Sequence, residues 1–241
     1  MKLRKAKKEE STISISNSFI VPDHWIEAAK IAKKVLKEFK NKVTTDKFLE
    51  WNHYKKFEYF VSKKCPIYIA IRHTRHWLAE SLTTPGVSGY IKINVNDASV
   101  TNEEDVIEEK YFYRIIFSTL VHEIIHYFQD TLGLEKQLAL RERKKLLLYG
   151  TSFKRSKDNF LYATNWVEMD AELGTYFALH QFKVPSLKQI IQHYHDWYND
   201  DLLATAIGTY IYNYFIEGRK NLSLRERLFN GEIKFNGELF G

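Results

Sequence analysis

The stretch LVHEIIHYFQD, residues 120–130, sets His122, Glu123 and His126 among apolar neighbours. On a helix, residues four apart lie about 5–6 Å from each other at Cβ. Two imidazoles at that spacing converge on one ion at about 2.0–2.1 Å, and zinc takes nitrogen and carboxylate ligands while leaving a position open. Glu123 follows His122 directly, so it lies beside such an ion and not on it. A general base that takes a proton from metal-activated water belongs at that place. A single histidine on an apolar face is ordinarily a satisfied core residue. A carboxylate there is harder to explain, because burying an unpaired charge is costly. A shared Zn2+ accounts for all three side chains. The alternative is a buried helix in which the spacing is coincidental.

A third ligand is needed. The segment YFQDTLGLEKQ that follows has no histidine, so a carboxylate from another helix is the other route. NWVEMDAELGTYFA supplies Glu168, Asp170 and Glu172. Glu168 and Glu172 are four apart and share a helical face, while Asp170 points away from both. Glu168 is the candidate third ligand. Glu172 is the candidate acceptor for the far N–H of a ligand histidine, which would fix its ring and tautomer. Ala171 and Gly174 are small enough for this helix to approach the central one closely. Glu168 also stands three residues after Asn165, a capping-box spacing, so capping its own helix is the competing role.

Elements must bring these residues together. VPDHWIEAAKIAKKVLKEFKNK carries apolar residues at helical period, with a lysine-rich outer face. DKFLEWNHYKKFEYFVSKK is expected to form a second helix, with Phe48, Trp51, Tyr54, Phe57 and Phe60 inward. CPIYIAIRH reads as a strand, and GVSGYIKINVND alternates in period two. From Tyr111 to Leu132 the chain is apolar on nearly every side, so that helix belongs in the middle of a domain. Thr101 and Glu104 have capping-box spacing before it, and Gly133 is a helix stop. Beyond it, LEKQLALRERKKLLLYG is an amphipathic helix and residues 149–163 are a polar, irregular loop. NWVEMDAELGTYFALHQF, PSLKQIIQHYHDWYND (proline in its first turn), DLLATAIGTYIYNYFIEG and LSLRERLF are helical. Asn236–Gly237 suggests a small final hairpin.

The chain has 241 residues, 44% of them hydrophobic and 15% aromatic, enough for a substantial core. No run of eighteen apolar residues occurs, so no membrane span is expected. The basic N-terminus lacks the apolar centre and cleavage site of a secretory signal. With Cys65 the single cysteine, a disulfide framework is excluded and a cytoplasmic location is expected. The formal charge is +6, and residues 2–10 carry five basic side chains against two acidic ones. Residues 1–16 are read as a basic, solvated arm. Contact with nucleic acid is its alternative use.

HEIIH with the downstream EMDAE resembles the gluzincin branch of the zincin metallopeptidases, although glutamate stands at the last position where aspartate is usual. EMDAELGTYFA is similar to the matching helix of ImmA-type peptidases. GVSGYIKINVND ahead of the motif helix is similar to the SprT-like arrangement, whose third histidine is missing here. The resemblance spans roughly Gly86 to Ala178. It implies an α+β, mostly helical, zincin-like fold. An upper lobe over about 17–133 would carry a small mixed sheet and the active-site helix, and a helical lower lobe would follow over 134–241. It implies a peptide or protein substrate and a sheet edge strand along the cleft. By position that strand is Gly89–Val95, with Tyr90, Ile91 and Lys92 touching substrate; an interior strand is the equal alternative. Many relatives stabilise the oxyanion with a Tyr, His or Arg from a later helix. His193, Tyr194, His195, Tyr198, Tyr210, Tyr212 and Tyr214 all qualify here. The expected activity is zinc-dependent peptide hydrolysis with Glu123 as base. The alternatives are a zincin-like binding or structural protein without turnover and a DNA-associated SprT-like protease.

Overall fold

The computed structural model describes residues 20–44, 56–62, 65–71, 79–82, 90–95, 109–131, 156–216, 225, 227–228 and 232–235. The basic arm, the Thr101–Glu104 and Gly133 helix signals, the amphipathic segment after Leu132 and Asn236–Gly237 lie outside them. In chain order the elements are α1 (Asp23–Lys42), β1 (Lys56–Ser62), β2 (Cys65–Ile71), β3 (Ala79–Leu82), β4 (Tyr90–Val95), α2 (Glu109–Thr131), α3 (Ser156–Ala163), α4 (Trp166–Leu179), α5 (Leu187–Tyr198) and α6 (Asp201–Ile211). A π-helical turn, Tyr212–Ile216, follows. This is an α+β protein, mostly helical. No helix among the described residues is long and apolar enough to cross a membrane.

The four strands form one mixed sheet in the order β1-β2-β4-β3. β1 is antiparallel to β2, β2 parallel to β4, and β3 antiparallel to β4. Ile67 stands opposite Ile91, and Phe57 opposite Ile69. Period-two alternation therefore gathers Phe57, Ile67, Ile91 and Ile93 into one buried set. Phe39 of α1 meets Phe57 edge-on at 5.2 Å and Phe112 of α2 at 6.3 Å. Sheet, first helix and central helix thereby share one apolar core.

Four expectations need correction. The second helix expected before Cys65 is, over residues 56–62, the strand β1. Its aromatic residues recur every third position, which imitates a helix face, yet Phe57 is buried while Phe60 is 58% exposed. A two-residue connection to β2 draws this segment into antiparallel pairing. The polar loop expected over 149–163 is helical from Ser156, where Phe160 and Leu161 anchor α3 in the core. Pro185 lies before α5 and not in its first turn. Ser186 is the N-cap and forms a capping box with Gln189. Finally, β4 is no edge. Tyr90 and Ile91 pair with Leu82 and Ser81 on one side, and Ile91 and Lys92 with Ile67 and Tyr68 on the other. A strand paired on both sides has no free backbone for a peptide, so Tyr90, Ile91 and Lys92 are not positioned for strand addition. Among the described residues the edges are β1 and β3.

α2 is enclosed. It packs against α1 and α4, and its other side meets β3 and β4. That surrounding is why its apolar residues run all the way round, with Phe112, Ile116, Leu120, Val121, Ile124 and Ile125 buried. α4 comes close because of Gly174. A Cβ there would lie 2.4 Å from Ile125 Cδ1 and 2.8 Å from Trp25 Cδ1.

Candidate metal centre

His122 and His126 lie on the α2 face turned toward α4, and Glu168 and Glu172 lie on the α4 face turned back. The Nε2 atoms of His122 and His126 are 3.1 Å apart. Each lies 3.6 Å from Glu168 Oε2. Among the described residues, these three form the group whose donor atoms are close enough to share one ion. Tetrahedral ligation at about 2.0–2.2 Å separates donor atoms by about 3.3–3.6 Å; the two sides to Glu168 match this, and the side between the histidines, 3.1 Å, is slightly shorter.

Glu168 does not cap its helix. Asn165 does so, accepting from Val167 N at 3.0 Å. The Asn165 N–H that a capping Glu168 would take is donated to the carbonyl of Tyr162. Glu168 thus keeps a carboxylate oxygen toward the histidines from a position 4% exposed.

The outer nitrogens of both rings are engaged. Gln129 Nε2 lies 2.9 Å from the carbonyl of Val167 and 2.8 Å from Asp170 Oδ2. Both are acceptors, so the amide NH2 of Gln129 must face them and its Oε1 must face His126. His126 Nδ1, 2.8 Å from that oxygen, therefore carries the ring proton and leaves Nε2 as a lone pair. His122 Nδ1 faces Glu172 Oε2 at 3.4 Å, which makes the same assignment for the other ring. With both rings neutral, two imidazole lone pairs and a carboxylate oxygen would converge with no hydrogen among them. Such a pocket requires a cation or a proton to hold it together.

The electrostatics agree. Burial works against charging His122, but hydrogen bonds with Glu168 and Glu172 and the nearby charge of Glu123 push its pKa up to about 10. Burial alone would raise Glu172, yet hydrogen bonds from His122 and His193 hold it well below the usual carboxylate range. Both shifts favour a proton on His122 and a charge on Glu172. Glu123 is 7% exposed and stands outside the donor triangle.

Several participants were missed in the sequence. His193, on α5, donates to Glu172 Oε1 at 2.6 Å and rests edge-on against Tyr176. The sequence offered it as one of seven oxyanion candidates. The others separate by position. His195 pairs with Asp201, and Tyr210 stacks on Tyr214. Burial raises the pKa of the Tyr194 and Tyr198 hydroxyls, and the charges of Glu172 and Glu168 raise them further. Tyr194 is buried, and its hydroxyl has no hydrogen-bond partner among the described residues. The sequence sets Asp170 aside as pointing away from Glu168 and Glu172 and does not single out Gln129, His24 or Trp25, because the contacts that join them to Asp170 span 41 to 146 residues. Compared with known protein families, curated proteins and solved structures, the chain matches none.

Proposed function

We propose that this protein is a zinc-dependent metallopeptidase of zincin-like architecture. The observation that carries the reading is the donor triangle. Two Nε2 lone pairs, their tautomers set from outside, meet a buried carboxylate at tetrahedral ligand spacing, with Glu123 next in the chain to one ligand. His122, His126 and Glu168 would hold the ion, and Glu172 would orient His122. Bound there, zinc supplies Lewis acidity toward water and toward a peptide carbonyl.

The chain's own residues do the rest. Glu123 takes the proton of the attacking water and returns it to the leaving amine, a role worth about 100- to 10,000-fold. Its buried position keeps the carboxylate out of bulk water. Tyr194, whose buried hydroxyl has no hydrogen-bond partner among the described residues, would donate to the oxyanion that forms as the carbonyl is attacked. An extended peptide would pair with β3, the edge strand antiparallel to β4 and packed against α2. The zincin-like reading is supported by a mixed sheet above a central helix, with helices α4 and α5 below it.

The experiment is zinc content together with casein hydrolysis. One zinc per chain is expected after mild purification, and His126→Ala should lose it. Glu123→Gln should retain zinc while turnover falls at least about 100-fold. Wild-type protein that holds zinc yet cleaves no peptide would give the binding-protein reading instead. Protein without zinc would defeat the metal site.

A further inference from the structure

Asp170 lies at the centre of a hydrogen-bond network that reaches the metal ligands without including them. It is 2% exposed. Its Oδ1 accepts the indole N–H of Trp25 at 2.9 Å. Its Oδ2 accepts Gln129 Nε2 at 2.8 Å and His24 Nε2 at 2.9 Å. Three donors on one buried carboxylate mark it as an acceptor-only group, and this fixes which end of Gln129 faces His126. Trp25 and His24 belong to the first turn of α1, some 145 residues from Asp170 in sequence. Trp25 is fully buried, tilted against Phe177 at 5.4 Å and lodged where Gly174 has no side chain.

From this we infer that Asp170 and Gln129 are positioning residues: they fix the tautomer of His126 and tie metal affinity to the docking of α1. The inference rests on the metal reading above and adds a dependence of the site on the N-terminal helix. A ligand histidine whose other nitrogen loses its acceptor populates both tautomers, and one of them presents N–H to the ion. Loss of such outer partners typically weakens metal binding about 10- to 100-fold. Linkage works in both directions: whatever α1 contributes to metal affinity, the metal returns to α1 docking.

Two measurements on the full chain test this. In metal-free wild-type protein, 15N NMR of the histidine rings should find His126 protonated at Nδ1; a proton at Nε2 would overturn the inference. This reading does not depend on whether the protein binds zinc. Zinc affinity is then measured by chelator competition and ligand geometry by the visible spectrum of the cobalt form. Gln129→Met, close in volume but without an acceptor at Nδ1, should bind zinc about 10- to 100-fold more weakly. Trp25→Phe, which removes the indole N–H from Asp170 Oδ1, should weaken it about fivefold or more. Zinc should slow amide exchange in Asp23–Lys42. Variants that fold as judged by circular dichroism, bind zinc within twofold of wild type and keep the cobalt spectrum would refute the inference. If the wild type holds no zinc, the metal reading itself falls, whatever the ring protons show.

Discussion

At the scale of single residues, the site is a problem of protons. His122 and His126 are ligands only if their Nε2 atoms are bare, and each owes that to an acceptor behind it, Glu172 or Gln129. The first acceptor could be read in the sequence, since helical spacing puts Glu172 on the face of Glu168. The second could not. Gln129 is three residues after His126 and looks like any polar helix residue until Val167 and Asp170 fix its amide. Tyr194 poses the opposite case, a buried donor with no acceptor among the described residues. A buried hydroxyl without a partner costs about 1–3 kcal/mol, so Tyr194→Phe should leave the protein as stable as wild type or more so. If the hydroxyl serves the oxyanion, the same change should lower kcat about 100- to 1000-fold, with KM little altered. Chemical denaturation and steady-state kinetics on one variant separate the two effects. A destabilised variant with full turnover would make Tyr194 a packing residue only.

At the scale of elements, the site depends on how closely α4 approaches α2 and α1. The local signals for α4 were plain: Asn165 as cap, Glu168 in the first turn, and small residues on the inner face. Gly174 is the point where these demands meet. Alanine there would drive Cβ into the Trp25 ring, which has no free end to move, unlike the Ile125 methyl. Gly174→Ala should destabilise by about 1–3 kcal/mol, as overpacking of a filled core does, despite alanine's better helix propensity. It should also weaken zinc binding by disturbing Trp25 against Asp170. Urea titration and zinc competition measure both, and a stabilised variant would count against the packing. The elements that misled were those whose local pattern suits two structures. β1 carries aromatics at i, i+3, so only the short connection to β2 decides for a strand. The strand β4 showed its period clearly, but period does not tell how many neighbours a strand has. Its interior place comes from β3, a four-residue strand too short to stand out.

At the scale of the whole molecule, four helices meet at one place. α2 and α4 carry the candidate ligands, α1 reaches them through Asp170, and α5 through His193 and Glu172. Without a cation, His122 Nε2, His126 Nε2 and Glu168 Oε2 face one another, an arrangement that a proton on His122 favours. An ion that binds only the folded chain stabilises it by RT ln(1 + [L]/Kd), about 4 kcal/mol when free zinc exceeds Kd a thousandfold. For a chain of 150–250 residues, 1 kcal/mol moves Tm by about 2–4 °C. Stripping zinc with a chelator should therefore lower Tm by roughly 8–16 °C. Readdition should restore it, and the His126→Ala variant should not respond. The loss should be uneven. Amide exchange should rise in α1, α2, α4 and α5, which a bound ion would join, and little in β1 and β2, which meet the rest of the core through Phe39 and Phe57. A Tm indifferent to zinc, or exchange rising evenly through sheet and helices, would mean that the folded helices hold this junction together without the metal.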